Sequence, residues 1–181
     1  MAKTTTFFDE MTLGKDQIRS IYSAYSQWLK DTSNTQLKSK NQEAELLFRR
    51  VGITFNVYGE ADGAERLIPF DIIPRLLSSK EWDFISKGTV QRVKALNMFL
   101  HDIYHDQLII KEGLAPQSLL QNSQYRPEMF GVDVPNQIYA HIAGIDIVRT
   151  DESQFYVLED NLRTPSGVSY MLENRKMMMR L

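Results

Sequence analysis

Asp146, Glu159 and Asn161 are the residues of this chain whose types and spacing suit chemistry best. They lie in GIDIVRTDESQFYVLEDN. Two alternating apolar runs, Tyr139 to Val148 and Phe155 to Leu158, flank a polar turn around Asp151, Glu152 and Ser153. This pattern predicts a β-hairpin. A turn symmetric about Glu152 and Ser153 sets Asp146 opposite Glu159, and directly opposed residues share a face of the sheet. Asn161, two residues further on, shares that face as long as the strand continues. Two carboxylates and an amide oxygen then converge. Oxygen ligands of this kind suit Mg²⁺, which takes carboxylates and substrate phosphates and keeps several waters. Opposed like charges are destabilising unless solvated or offset by a cation. A solvated acidic hairpin and a metal seat therefore both remain open on the residues alone.

The chain continues LRTPSGVSYMLENR. Arg163 to Gly167 reads as a turn-rich loop, and Val168, Met171 and Leu172 open a helical pattern. A strand carrying Glu-x-Asn, then a loop, then a helix start is a plausible setting for phosphate, because free N–H groups at a helix N-terminus attract anions. Arg163 has the charge to neutralise a phosphoryl group; a solvent-exposed loop arginine is the plain alternative.

LEDNLRTPSGVSYMLENR resembles the Glu-x-Asn segment of ATP-grasp ligases. More narrowly, it resembles the circularly permuted ATP-grasp family, relatives of glutathionylspermidine synthase-like carboxylate–amine ligases. FFDEM, GITFNVYGE, RLIPFDIIPRLLSSKEW, GTVQRVKALNMFLHDIYHDQ, IIKEGLAP and YAHIAGIDIVR resemble stretches of that family in the same order. The resemblance implies an ATP-grasp-like α+β fold, a mixed or antiparallel sheet with flanking helices, present as an incomplete N-terminal portion. It implies ATP and Mg²⁺ as cofactors. Asp146, Glu159 and Asn161 fall at the metal positions, Asn161 and Arg163 at nucleotide-binding ones, and Arg163 in the catalytic loop. The implied activity is amide or peptide bond formation through an acyl phosphate. Its partners would be a small-molecule or peptide carboxylate, an amine, and a C-terminal ATP-grasp portion. The lysines that grip ATP are expected downstream of Leu181, which makes the chain alone an inactive fragment. A non-catalytic binding or assembly module of the same fold is the alternative.

The elements that must position these residues read as three stretches: a helical region over 1–50, an α/β region over 51–136, and the hairpin, loop and helix over 137–181. Asp16 to Leu29 predicts an amphipathic helix, Asp31 to Lys40 a polar loop, and Gln42 to Arg50 a second helix ended by Gly52. Ile53 to Tyr58 alternates as a strand, Gly59 to Gly63 as a turn and Arg66 to Phe70 as a second strand. Asp71 and Arg75 flank IIP and could pair with each other, a structural role weighed above a functional one. Ser78 with Glu81 matches a capping box that starts a helix near Ser79. Val90, Val93, Leu96, Leu100 and Ile103 carry its apolar face, with Gly88 a candidate break. His101 and His105 stand one turn apart on the side away from that face, facing water, and no third ligand makes them a zinc site. His141 is read as structural. Asn122 to Asn136 is a long polar loop of the kind that is often functional or mobile.

Composition bounds the class. The chain has 181 residues, 43% hydrophobic and 24% charged, with net charge −2. That supports one globular domain and implies no field for nucleic acid. With no cysteine, disulfides, thiolate metal sites and cysteine nucleophiles are excluded. MAKTTTFFDEM lacks the apolar stretch of a signal peptide and no run is long enough to span a membrane, so a cytoplasmic protein without membrane partners is expected. NRKMMMRL interrupts a helical pattern without a cap, which suggests exposed methionines awaiting more chain or a partner surface.

Overall fold

The computed structural model of the protein describes residues 8–13, 17–56 and 65–181. The chain divides into two units: Met1–Ser78 with Val148–Tyr156 and Ser166–Leu181, and Ser79–Ile147 with Val157–Pro165. Helices accompany two separate two-stranded sheets, an α+β arrangement.

In the first unit, α1 (Ser23–Asp31) follows a single 3-10 turn, Ser20–Tyr22. It starts later than the periodicity suggests, because Ile18 is bridged in extended form to Thr12 and Arg19 N–H bonds Met11 O at 2.9 Å. α2 (Asn34–Val51) replaces the loop expected over Asp31 to Lys40. Ser33 is its N-cap and exchanges bonds with Gln36 in a full capping box, which satisfies two of the orphan groups at the helix start. The first turns are polar and mostly exposed, so apolar periodicity does not mark this start. Gly52 ends α2 with φ +73°, a left-handed conformation that glycine adopts without a Cβ penalty. β1 (Thr54–Asn56) pairs antiparallel with β2 (Glu65–Leu67), Thr54 facing Leu67. The turn expected at Gly59 to Gly63 and the strand end at Val57 and Tyr58 lie outside the described residues.

Phe48, Ile53 and Met177 form the core of this unit, with Phe48 and Met177 each 1% exposed. Met177 belongs to α5 (Gly167–Met178), so the three methionines are not a uniformly exposed run: Met179 alone is open, at 72%. The segment after β2 lies along α1, where Tyr22 Oη accepts Leu76 N–H at 2.7 Å and Tyr25 Oη donates to Ile72 O at 2.9 Å. Asp71 does not pair with Arg75. Its carboxylate accepts Ile73 N–H at 2.9 Å, an Asx turn that uses the nearer partner.

The second unit is built on α3 (Ser79–Ile103). It begins where Ser78 and Glu81 signal a start and passes Gly88 without a break. A Cβ at Gly88 would meet nothing within 4 Å, so the glycine carries only its entropic penalty. Gly88→Ala is expected to stabilise the protein by about 0.5–1 kcal/mol, read as a higher urea midpoint at unchanged m-value; an unchanged or lower midpoint would refute it. Val90 departs from the expected apolar face and is 53% exposed. After α3, Asp102 accepts the N–H groups of Leu108 and Ile109 at 2.8 and 3.0 Å and so starts the short α4 (Leu108–Lys111).

The long loop is pinned rather than loose. Gly131 N–H bonds Tyr104 O at 2.7 Å and Arg126 N–H bonds Tyr104 Oη at 3.2 Å. Tyr104 also stacks on Tyr125 at 5.2 Å. This loop corrects the reading of the histidines. His101 and His105 are half-buried, with rings 4.1 Å apart. His101 Nδ1 lies 3.3 Å from Tyr139 Oη, and His105 Nε2 lies 3.2 Å from Asp133 Oδ1 but off hydrogen-bond geometry.

β3 runs over Gly144–Asp151 and β4 over Gln154–Asn161. The expected strand from Tyr139 starts five residues late: Asn97 Oδ1 accepts the N–H groups of Tyr139 and Ala140 at 2.7 and 3.0 Å, which takes these two donors out of a strand ladder. His141 is exposed and precedes the strand. Among the described residues, no helix is long and apolar enough to cross a membrane.

Candidate functional site

Every candidate side chain comes from the second unit and most from the hairpin. β3 and β4 are eight residues each, joined by Glu152 and Ser153, so they pair antiparallel. Gly144 lies at the far end against Asn161: a Cβ on Gly144 would come 3.4 Å from Asn161 Cβ and 3.3 Å from Pro165 Cβ. Glycine is what permits this approach. Two residues inward from that contact, Asp146 on β3 comes alongside Glu159 on β4.

Glu159 and Asn161 meet directly. Asn161 Nδ2 donates to Glu159 Oε1 at 2.8 Å, which places both side chains on one face of β4. The bond uses the amide nitrogen and leaves Asn161 Oδ1 and Glu159 Oε2 available as oxygen donors. Asp146 and Glu159 are exposed and Asn161 is half-buried. Among the described residues no group of three or more His, Cys, Asp or Glu is set to hold a metal; the set here is two carboxylates and an amide.

Asp160, between Glu159 and Asn161, points elsewhere. Arg92 Nε lies 2.7 Å from its Oδ1 and 2.9 Å from its Oδ2, and Arg92 Nη2 lies 2.6 Å from Oδ2. This is a bidentate fork, among the stronger geometries for a charged pair. The hydrogen bonds from Arg92 hold the Asp160 carboxyl below the usual carboxylate range, and the same bonds raise the Arg92 guanidinium. Sequence reasoning missed this pair, since 68 residues separate its members and neither carries a local signal.

Arg163 is exposed, and its guanidinium donates to Gln124 Oε1 on the long loop. It is therefore tied to that loop rather than aimed at Glu159 or Asn161.

Residues 74–181 match a family described as a circularly permuted ATP-grasp, and that stretch contains Arg92, Asp146, Glu159, Asn161 and Arg163. The chain belongs to the circularly permuted ATP-grasp family. This ATP-grasp chain is 40% identical over 173 residues to an uncharacterized protein of Synechocystis sp., covering 95% of itself and 36% of the relative. It is 40% identical over 175 residues to an uncharacterized protein of Mycobacterium leprae, covering 96% of itself and 30% of the relative. It is 34% identical over 174 residues to a Frankia casuarinae protein named "Putative glutamate–cysteine ligase 2-2", covering 95% of itself and 20% of that protein. The ATP-grasp chain thus spans about a third of the length of the first two relatives.

Proposed function

We propose that this chain supplies the metal-and-phosphate side of an ATP-dependent carboxylate–amine ligase. The observation that carries this reading is the contact of Glu159 with Asn161 on one strand face, with Asp160 between them turned to Arg92. Two exposed carboxylates and a free amide oxygen fit Mg²⁺, a hard cation that takes oxygen ligands and keeps several waters. Asp146, Glu159 and Asn161 would hold it. When bound with ATP, the ion neutralises charge on the phosphates. Family membership and the ligase name carried by two relatives support the class of reaction: a carboxylate takes the γ-phosphoryl group to give an acyl phosphate and ADP, and an amine then displaces phosphate to form the amide.

The chain's own residues hold and orient. Phosphoryl transfer depends mostly on positioning and charge neutralisation. Arg163 would exchange the neutral Gln124 oxygen for phosphoryl oxygens, a charged acceptor that forms the stronger hydrogen bond. The carboxylate and amine substrates are small molecules or peptides.

Calorimetry with ATP and Mg²⁺ tests the reading. Binding is expected to need Mg²⁺ and to weaken at least about tenfold in Asp146→Asn, in line with the loss of a metal-site group. No heat at millimolar Mg·ATP, or equal binding by the variant, would instead support a non-catalytic module.

A further inference from the structure

We infer that Arg92 is a positioning residue for the metal seat, acting through Asp160. The inference rests on the proposed reading of Asp146, Glu159 and Asn161. Successive side chains of a strand point to opposite faces. Glu159 and Asn161 can face one ion together only if the strand between them keeps one rotation about its axis. Asp160 is the residue whose fixing sets that rotation. The fork from α3 grips it at 2.6–2.9 Å through both carboxylate oxygens, while the 2.8 Å bond between Asn161 and Glu159 closes the other face. β4 is thus held from both sides at the point where it must present two ligands.

Charge balance points the same way. Asp146, Glu159 and Asp160 place three carboxylates within a short length of one hairpin. Arg92 offsets one of them, the carboxylate on the strand face opposite Glu159 and Asn161. Two carboxylates are left, matching the charge of one divalent ion. The pair sits where it has structural leverage without deep burial: the Arg92 side chain is 45% exposed and that of Asp160 16%. Exposed ion pairs contribute little to global stability, so the main effect of the fork falls on geometry.

The experiment is Mn²⁺ titration of the full 181-residue chain, followed by electron paramagnetic resonance of the free ion, for wild type, Arg92→Ala, Arg92→Lys and Glu159→Gln. Loss of a residue that orients metal ligands typically weakens affinity by about 10–100-fold, and that range is expected for Arg92→Ala, with cooperative melting retained. Arg92→Lys keeps the charge but loses the fork, so its affinity should fall between those of wild type and Arg92→Ala. Wild-type affinity in Arg92→Lys, or binding by Arg92→Ala as tight as wild type or tighter, would overturn the inference. If Glu159→Gln loses Mn²⁺ while both Arg92 variants keep it, the metal seat stands and the role of Arg92 fails. If Glu159→Gln binds Mn²⁺ like wild type, the metal seat itself fails.

Discussion

Glu159→Gln is expected to weaken Mg²⁺-dependent ATP binding by this chain, and to reduce ligase turnover at least about a hundredfold in a protein of the relatives' length carrying the substitution. The magnitude follows from the role. Removing one group that stabilises charge at a reacting centre commonly reduces turnover by about a hundred to a thousandfold. Glutamine keeps the size of the side chain and can still accept the 2.8 Å bond from Asn161, so the hairpin should fold as before. It removes the negative charge. Steady-state kinetics at saturating ATP would read the change mainly in kcat, with the apparent Mg²⁺ requirement rising. Turnover within a fewfold of wild type would remove Glu159 from the metal seat.

The largest expected loss of stability lies at the hairpin tip. Arg149→Ala should destabilise the protein by about 3 kcal/mol, the lower end for breaking a buried charged network. The Arg149 side chain is 4% exposed and its Nη1 lies 3.0 Å from Glu10 Oε2. Its guanidinium carbon sits 4.9 Å from the Phe8 ring centre and 4.8 Å from that of Phe155. Cation–π contacts of this kind gain strength when desolvated. Its Nε donates to Asp151 O at 3.0 Å and its Nη2 to Glu152 O. These bonds tie down a turn in which neither Glu152 nor Ser153 has the positive φ of the favoured hairpin turns. Arg19 also pairs with Glu10, at 3.4 Å, so the carboxylate is not left alone in the variant, and this keeps the expected loss at the lower end. Arg149→Lys should recover part of it, because an ammonium keeps the charge but not the planar fork between two rings. Urea unfolding at constant m-value measures both, and a loss under about 1 kcal/mol for Arg149→Ala would show that the cage does not hold the tip.

Arg149 and Arg92 also mark where the sequence becomes hard to read. The hairpin was legible because its information is local: two alternating runs and a polar turn within twenty residues. The start of α3 was legible for the same reason. The first turns of α2 were not. Leu37, Lys40, Ala44, Leu47 and Phe48 make its inward face, but most of the early stretch is polar, and the Ser33/Gln36 box carries the signal instead. Tyr139 to Ala143 alternates like a strand, yet Asn97 takes its first two N–H groups from 42 and 43 residues away. The histidines looked solvent-facing on α3 because the loop that shelters them is distant in sequence. Of the candidate site, the residue types and their placement on the two strands of one hairpin could be read directly. The fork that holds Asp160, and the tie from Arg163 to Gln124, depend on contacts that no spacing rule encodes.

In the proposed seat, Asp146, Glu159 and Asn161 together hold a divalent ion against the phosphates of ATP. The most direct measurement is paramagnetic broadening of backbone amide resonances when substoichiometric Mn²⁺ is added to the isotope-labelled chain in the presence of ATP. The amides of Asp146, Glu159 and Asn161 are predicted to broaden first and together. Broadening centred on another group, such as His101, His105 and Asp133, with these three resonances unchanged, would contradict the claim.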